Sequence, residues 1–156
     1  MNQARINYHL MEGVGQEFAP FRAHESDAGF DLKLLAVKGH EPEKNSIFYI
    51  TPHSIALYRT GVGFDIPHGY FGTTLGRSSM NAMGILNIAG VIDSGYLGEV
   101  IVALHNTTDY PVKFEMGSRI AQIVFMPHYT GTMSLVRLED LPATERGANG
   151  FGSSGL

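Results

Sequence analysis

No stretch of ten or more residues in this chain repeats its apolar positions every three to four residues, which argues against long helices. Short apolar runs stand in their place: FDLKLLAV, SIFYI, SIALYRTGVGFDI, YFGTTL, GEVIVALHN, YPVKF and RIAQIVFMPHY. Turn formers separate them, as in IPHG, NTTD and EMGS, at the spacing of a β-sandwich or barrel. In GEVIVALHN, Val100, Val102 and Leu104 alternate with Ile101 and Ala103, so both faces are apolar and the strand is expected to be covered on both sides. The one helix expected is short, within residues 78 to 85, capped by Ser78 or Ser79. The 156 residues fit one domain with a real core, and 19 glycines allow many tight turns. The predicted architecture is all-β: one domain over residues 1–145, then a mobile glycine-rich arm, RGANGFGSSGL, over residues 146–156.

Composition narrows the function classes. Net charge is −4 with no lysine- or arginine-rich block, which argues against binding a nucleic-acid polymer but leaves a small phosphorylated ligand open. There are no cysteines, so disulfides, zinc–thiolate sites and a thiol nucleophile are excluded. No apolar stretch reaches the length of a signal peptide core or a membrane span, so an intracellular, soluble protein with no membrane partner is expected. The seven histidines show no metal-like spacing and receive no role, and the seven methionines read as core filling.

Four stretches and the arm carry chemistry. GRSSMNAMG (76–84) sets Arg77, Ser78 and Ser79 at the mouth of the short helix: an anion cradle, or else a capped surface helix with a solvated arginine. NIAGVIDSGYLGEV (87–100) puts Asp93 beside Val91 and Ile92, with Tyr96 three residues on. That describes a carboxylate able to activate water beside an aromatic wall, or an aspartate that merely starts a turn. Asn87 offers both a donor and an acceptor to a heterocycle edge. DAGFDL (27–32) presents two acids flanking a glycine, fit for a hydrated Mg²⁺ or for solvent. GSRIAQIVF (117–125) reads as a core strand whose alternation puts Arg119 and Gln122 on opposite faces. In the arm, an arginine, a ring and two hydroxyls can fork onto phosphate, stack and donate.

In order, these stretches resemble the motifs of the trimeric dUTP pyrophosphatases (dUTPases). DAGFDL is similar to AGxDL, GRSS to PRS followed by a small residue, and NIAGVIDSGYLG to GVIDxxYxG with its upstream Asn. GSRIAQ is similar to GxRIAQ, and the arm to RGxGGFGSTG. The resemblance covers about residues 23 to 155, with two departures: Gly76 replaces the usual Pro, which should loosen the approach to the phosphate loop, and Asn149 replaces a Gly.

The resemblance implies a jelly-roll-like β-barrel, a homotrimer with sites shared between subunits, and hydrolysis of dUTP to dUMP and pyrophosphate with Mg²⁺ as cofactor. Such an activity limits uracil incorporation into DNA and supplies dUMP for dTMP synthesis. By position, Asp93 would deprotonate the attacking water and hold the 3′-OH. Tyr96 would lie under the deoxyribose and refuse a 2′-OH. Asn87, with backbone groups near Gly90, Val91, Ile92 and Ile101, would read uracil. Arg77, Ser78, Ser79 and Gln122 would hold the phosphates, and Asp31 would contact the metal through water. From the arm, Phe151 would stack on uracil, while Arg146, Gly152, Ser153 and Ser154 would clamp the phosphate chain. Two alternatives share the fold: a dCTP deaminase-like enzyme, for which Glu99 is the candidate proton shuttle, and a regulatory binding protein on the same scaffold.

Overall fold

The computed structural model describes residues 5–145 and 147. Every predicted apolar run becomes strand. The strands are β1 (Asn7–Leu10), β2 (Gly29–Lys33), β3 (Ala36–Val37), β4 (Ile47–Ile50), β5 (Ile55–Arg59), β6 (Val62–Asp65), β7 (Tyr70–Leu75), β8 (Ile85–Ile88), β9 (Val91–Ile92), β10 (Ile101–Asn106), β11 (Val112–Glu115) and β12 (Arg119–Pro127). One short helix, α1 (Ser78–Ala82), interrupts them. The pairings form two four-stranded sheets, β3-β5-β10-β8 and β2-β12-β7-β9, with two-stranded ladders β1-β6 and β11-β4. The fold is therefore all-β and jelly-roll-like, with its strands spread over separate ladders rather than one closed ring.

The two large sheets face each other across one core. Leu32, Ile120, Ala121, Ile123 and Ile92 come from one sheet; Tyr58, Val102, Leu104 and Ile85 come from the other. Each such side chain contributes on the order of 1.5–3 kcal/mol by leaving water. Strand alternation aims these residues inward, and it also locks the NTTD turn. Asn106 ends β10 fully buried, donating to Ile50 O at 2.9 Å and Tyr110 O at 2.8 Å. Its Oδ1 accepts from Thr108 N at 2.9 Å and from Thr108 Oγ1 at 2.7 Å, so the buried amide is satisfied at both ends.

The expectation that both faces of β10 would be covered meets a different outcome within one chain. Val102 and Leu104 enter the core, but the other face lies open. There Ala103 sits between Leu57 and Ile88, and His105 between Ile55 and Leu86, all facing outward. Ile55, Leu57, Leu86 and Ile88 are exposed, which makes a continuous apolar sheet face.

Candidate active site

The phosphate end of the site begins where β7 runs out. Gly76 leads into Arg77, which holds extended backbone (φ −83°, ψ 145°) as the N-cap of α1. Neither Ser78 nor Ser79 caps the helix, because both lie within it rather than before it, and no side chain supplies a cap bond. Their exposed hydroxyls are thus left facing the cavity. Met80 is buried and pins the short helix to the core.

At Gly76 the neighbouring space is taken up by a side chain. A Cβ there would lie 2.3 Å from Asn81 Oδ1, so the Asn81 side chain fills the space that a larger residue would need. Gly76 also accepts a hydrogen bond through its carbonyl from Gln122 Nε2, at 3.1 Å.

Strand pairing delivers the remaining groups. Gln122 stands opposite Asp31 on one side and Leu75 on the other, so β2, β12 and β7 converge beside α1. Asp31 Oδ1 accepts from Arg77 Nε at 2.8 Å, and Asp31 Oδ2 accepts from Arg119 Nη1 at 3.1 Å. Arg77 Nη1 also donates to Arg119 O at 3.2 Å. Gly29 leaves room for the Gln122 side chain, since a Cβ there would sit 2.4 Å from Gln122 Oε1 and the amide would have to move. The resulting cavity, about 530 Å³, is lined by Asp27, Gly29, Asp31, Arg77, Ser78, Ser79, Arg119 and Gln122, with Phe21 at its side.

Arg119 corrects the alternation argument. Three residues apart on a regular strand, Arg119 and Gln122 would face opposite ways. The ladder to β2 slips between Arg119 and Ala121, and this irregularity returns Arg119 to the same cavity as Gln122. Its anionic partner, Asp31, was the signal that the sequence could not display, because 88 residues separate them.

A second set of groups lies along the chain that follows α1. Strands β8 and β9 are adjacent in sequence but join different sheets, pairing with β10 and β7 respectively, so they diverge and leave a slot. Asn87 crosses the slot, donating from Nδ2 to Thr74 O at 2.9 Å and Thr74 Oγ1 at 3.3 Å. The Gly90 backbone brackets the same threonine: Gly90 N donates to Thr74 Oγ1 at 3.4 Å, and Thr74 N donates to Gly90 O at 3.3 Å. Asn87 Oδ1 is buried with no hydrogen-bond partner. An orphaned buried acceptor costs about 1–3 kcal/mol. Val91 and Ile88 form an exposed apolar rim, Ile92 is buried, and Ile101 is half-buried on the open sheet face.

Asp93 follows β9 and is exposed; its carbonyl accepts from Tyr96 N at 3.1 Å, closing the turn that Asp at this position favours. Tyr96 is also exposed, with its OH donating to Glu99 O at 3.1 Å. Glu99 itself is engaged: Oε2 meets Arg59 Nε at 2.9 Å and Oε1 accepts from Gly61 N at 2.7 Å. Both oxygens of the glutamate that a deaminase reading would use are thus held within the chain, and nothing in the site favours that reading.

The structure does not bring Asp93 to the phosphate cavity of its own chain. Sheet register puts Asp93 opposite Phe71, four positions from Leu75, and three strands away from Asp31. With about 3.3 Å per residue and about 4.8 Å per strand, the backbones of the two residues stand roughly 20 Å apart along the sheet. The expected arm residues Arg146, Phe151, Gly152, Ser153 and Ser154, like Asn149, lie outside the described residues.

The fold and the site define an all-β protein with a polar cavity, lined by two arginines and two serines, beside its short helix. The sequence model of the dUTPase family matches residues 18–155, and the chain belongs to that family. It is 36% identical over 142 residues to a deoxyuridine 5'-triphosphate nucleotidohydrolase of Tropheryma whipplei (strain Twist), covering 88% of this chain and 89% of that one. It superposes with a TM-score of 0.82 and 26% identity on a Staphylococcus bacteriophage 80alpha dUTPase solved with dUpNHpp, covering 99% of this chain and 100% of that one. A dUTPase from phage phi11 of S. aureus, described with a structural Mg(II) ion, shares the fold at TM-score 0.71 and 20% identity, over 85% of this chain and 97% of that one.

Proposed function

We propose that this chain is a dUTP diphosphatase, converting dUTP and water to dUMP and pyrophosphate. Family membership supports the reaction class, and the relative from Tropheryma whipplei carries the corresponding name. One observation in the molecule carries the choice of base: the orphaned Asn87 Oδ1 in the slot beside Gly90. A uracil ring offers an N–H to such an acceptor and carbonyls to backbone N–H groups, whereas cytosine offers no ring N–H at its pairing edge.

In this reading Asp93 takes the proton from water as it attacks the α-phosphorus, and the pyrophosphate leaves into the cradle of Arg77, Ser78, Ser79 and Gln122. Arg119 joins them as a further cation. Tyr96 packs under the deoxyribose, and Val91, Ile92 and Ile101 support the hairpin that receives the base. The arm of residues 146–156 closes over the bound nucleotide, Phe151 stacking on the base and Arg146, Gly152, Ser153 and Ser154 gripping phosphate. Closure excludes water other than the nucleophile, and opening releases product.

The residues present fit Mg²⁺ held through water. Among the described residues no group of three or more His, Asp or Glu forms a metal cage. Asp31, with Asp27 near it in the cavity, instead supplies the one or two carboxylates that a hydrated Mg²⁺ uses alongside substrate phosphates. When bound, the ion offsets charge on the triphosphate and on the departing pyrophosphate.

The separation of roughly 20 Å between Asp31 and Asp93, too long for a triphosphate to bridge, supports a site completed by a second copy. Asp93, Tyr96 and the slot of one subunit then serve phosphates held by the cradle of its neighbour. The open apolar face of β5, β10 and β8 supplies surface for the homotrimer.

The test is pyrophosphate release in Mg²⁺ from dUTP against dCTP, dTTP and UTP. Release from dUTP alone is expected; comparable rates on all four would overturn the specific reading, and ammonia release from dCTP would replace it.

A further inference from the structure

The turn that carries Asp93 and Tyr96, residues 93 to 100, is fastened to the rest of the fold by side chains outside the motif. Glu99 is the centre of this fastening. Its Oε2 accepts from Arg59 Nε at 2.9 Å at the end of β5, and its Oε1 accepts from Gly61 N at 2.7 Å before β6. The pair is largely shielded, with 15% of the Glu99 side chain and 19% of the Arg59 side chain exposed. The next residue is tied as well: Thr60 Oγ1 donates to Val100 O at 2.7 Å, and Val100 N donates to Val62 O at 2.8 Å. On the opposite side His9 Nε2, from β1, donates to Leu97 O at 3.0 Å.

All of this converges on the Tyr96 ring. Its hydroxyl donates to the Glu99 carbonyl at 3.1 Å. The ring lies against Gly98, where an added Cβ would come within 2.5 Å of it. Its position is therefore set from below by a bare backbone and from its tip by a carbonyl whose own residue is anchored twice. A ring fixed at both points cannot retreat from a larger sugar; a ring held at one can.

We propose that Glu99, clamped by Arg59 and the Gly61 N–H, is a positioning residue for Tyr96 and sets how strictly the site refuses a 2′-hydroxyl. The inference rests on the reading of Tyr96 as the floor beneath the deoxyribose. Glu99 touches no reacting atom; it acts through the carbonyl that holds the tyrosine hydroxyl. Loosening the clamp leaves the aromatic floor in place but lets it yield, so UTP gains more than dUTP loses.

The experiment compares kcat/KM for dUTP and UTP in the full-length protein with Mg²⁺. Glu99→Ala and Tyr96→Phe, which cut the clamp and the tether, are each expected to lower the dUTP-to-UTP ratio by about tenfold, through a gain in UTP hydrolysis. Arg59→Lys, which preserves the ion pair, is expected to keep a ratio close to the native one. Tyr96→Ala is the control and should abolish discrimination. A native ratio in Glu99→Ala and Tyr96→Phe, with discrimination lost in Tyr96→Ala, overturns the clamp and leaves the tyrosine reading standing. A parallel loss on both substrates in Glu99→Ala marks a purely structural residue and also overturns it. A native ratio in Tyr96→Ala removes the tyrosine reading and the clamp together.

Discussion

Asp31 Oδ1 accepts from Arg77 Nε at 2.8 Å, across 46 residues of chain. The carboxylate sits between two guanidinium groups and holds both toward the cavity before any phosphate arrives. With 23% of the Arg77 side chain and 17% of the Asp31 side chain exposed, the pair is part-buried, and its chief consequence is the orientation of the guanidinium groups. Asp31→Asn is expected to raise the Mg²⁺ concentration needed for half-maximal pyrophosphate release, while thermal denaturation shifts the Tm by less than about 4 °C. An unchanged Mg²⁺ requirement would take Asp31 out of the metal's surroundings.

Asp93→Asn keeps the size of the side chain and removes the base. General-base assistance contributes about 10²–10⁴-fold, so turnover should fall by that order while dUTP still binds, measured by calorimetry with the variant. Near-native turnover would show that another group takes the proton.

Leu57→Asp places a charge at the middle of the open apolar sheet face, next to Ala103. Leu57 is already exposed in the single chain, so the subunit should fold. Sedimentation should show monomers and, on the shared-site reading proposed above, activity should vanish. A variant that still assembles would move the interface elsewhere on the surface.

Tyr58 is fully buried, its hydroxyl has no partner, and burial pushes its pKa up to about 12 from an ordinary 10.0. Between those values the unfolded chain has lost the proton that the folded chain keeps. Unfolding free energy should therefore be retained below pH 10 and fall by about 1.4 kcal/mol per pH unit between pH 10 and about 12. Tyr58→Phe should remove that component of the alkaline slope and, by deleting an unpaired buried hydroxyl, stabilise the fold by about 1 kcal/mol near neutral pH. Denaturant titrations at pH 7 and pH 11 check both.

Much of this was legible in the sequence because it is local. The apolar runs and turn formers fixed strands and loops, and the order of Arg77, Ser78 and Ser79 placed a cradle at the start of α1. What stayed hidden depends on contacts between distant segments. A slip at Ile120 decides which way Arg119 points, and no pattern in GSRIAQIVF announces it. His9 drew no attention as one of seven histidines, since its partner carbonyl, Leu97 O, lies 88 residues away. The outward face of β10 looked like core, because its apolar residues alternate as those of a strand covered on both faces do, and alternation alone does not say what covers them.

The distance that parts Asp93 from Asp31, and so from the Arg77 bonded to it, has a genetic consequence on the shared-site reading proposed above. A subunit lacking its base and a subunit lacking its arginine are each inactive alone, yet they carry damage on opposite halves of the shared site. Mixed together, some junctions would join the intact half of one to the intact half of the other, and activity would reappear. Two lesions in this protein can thus complement each other, as lesions in two different proteins do.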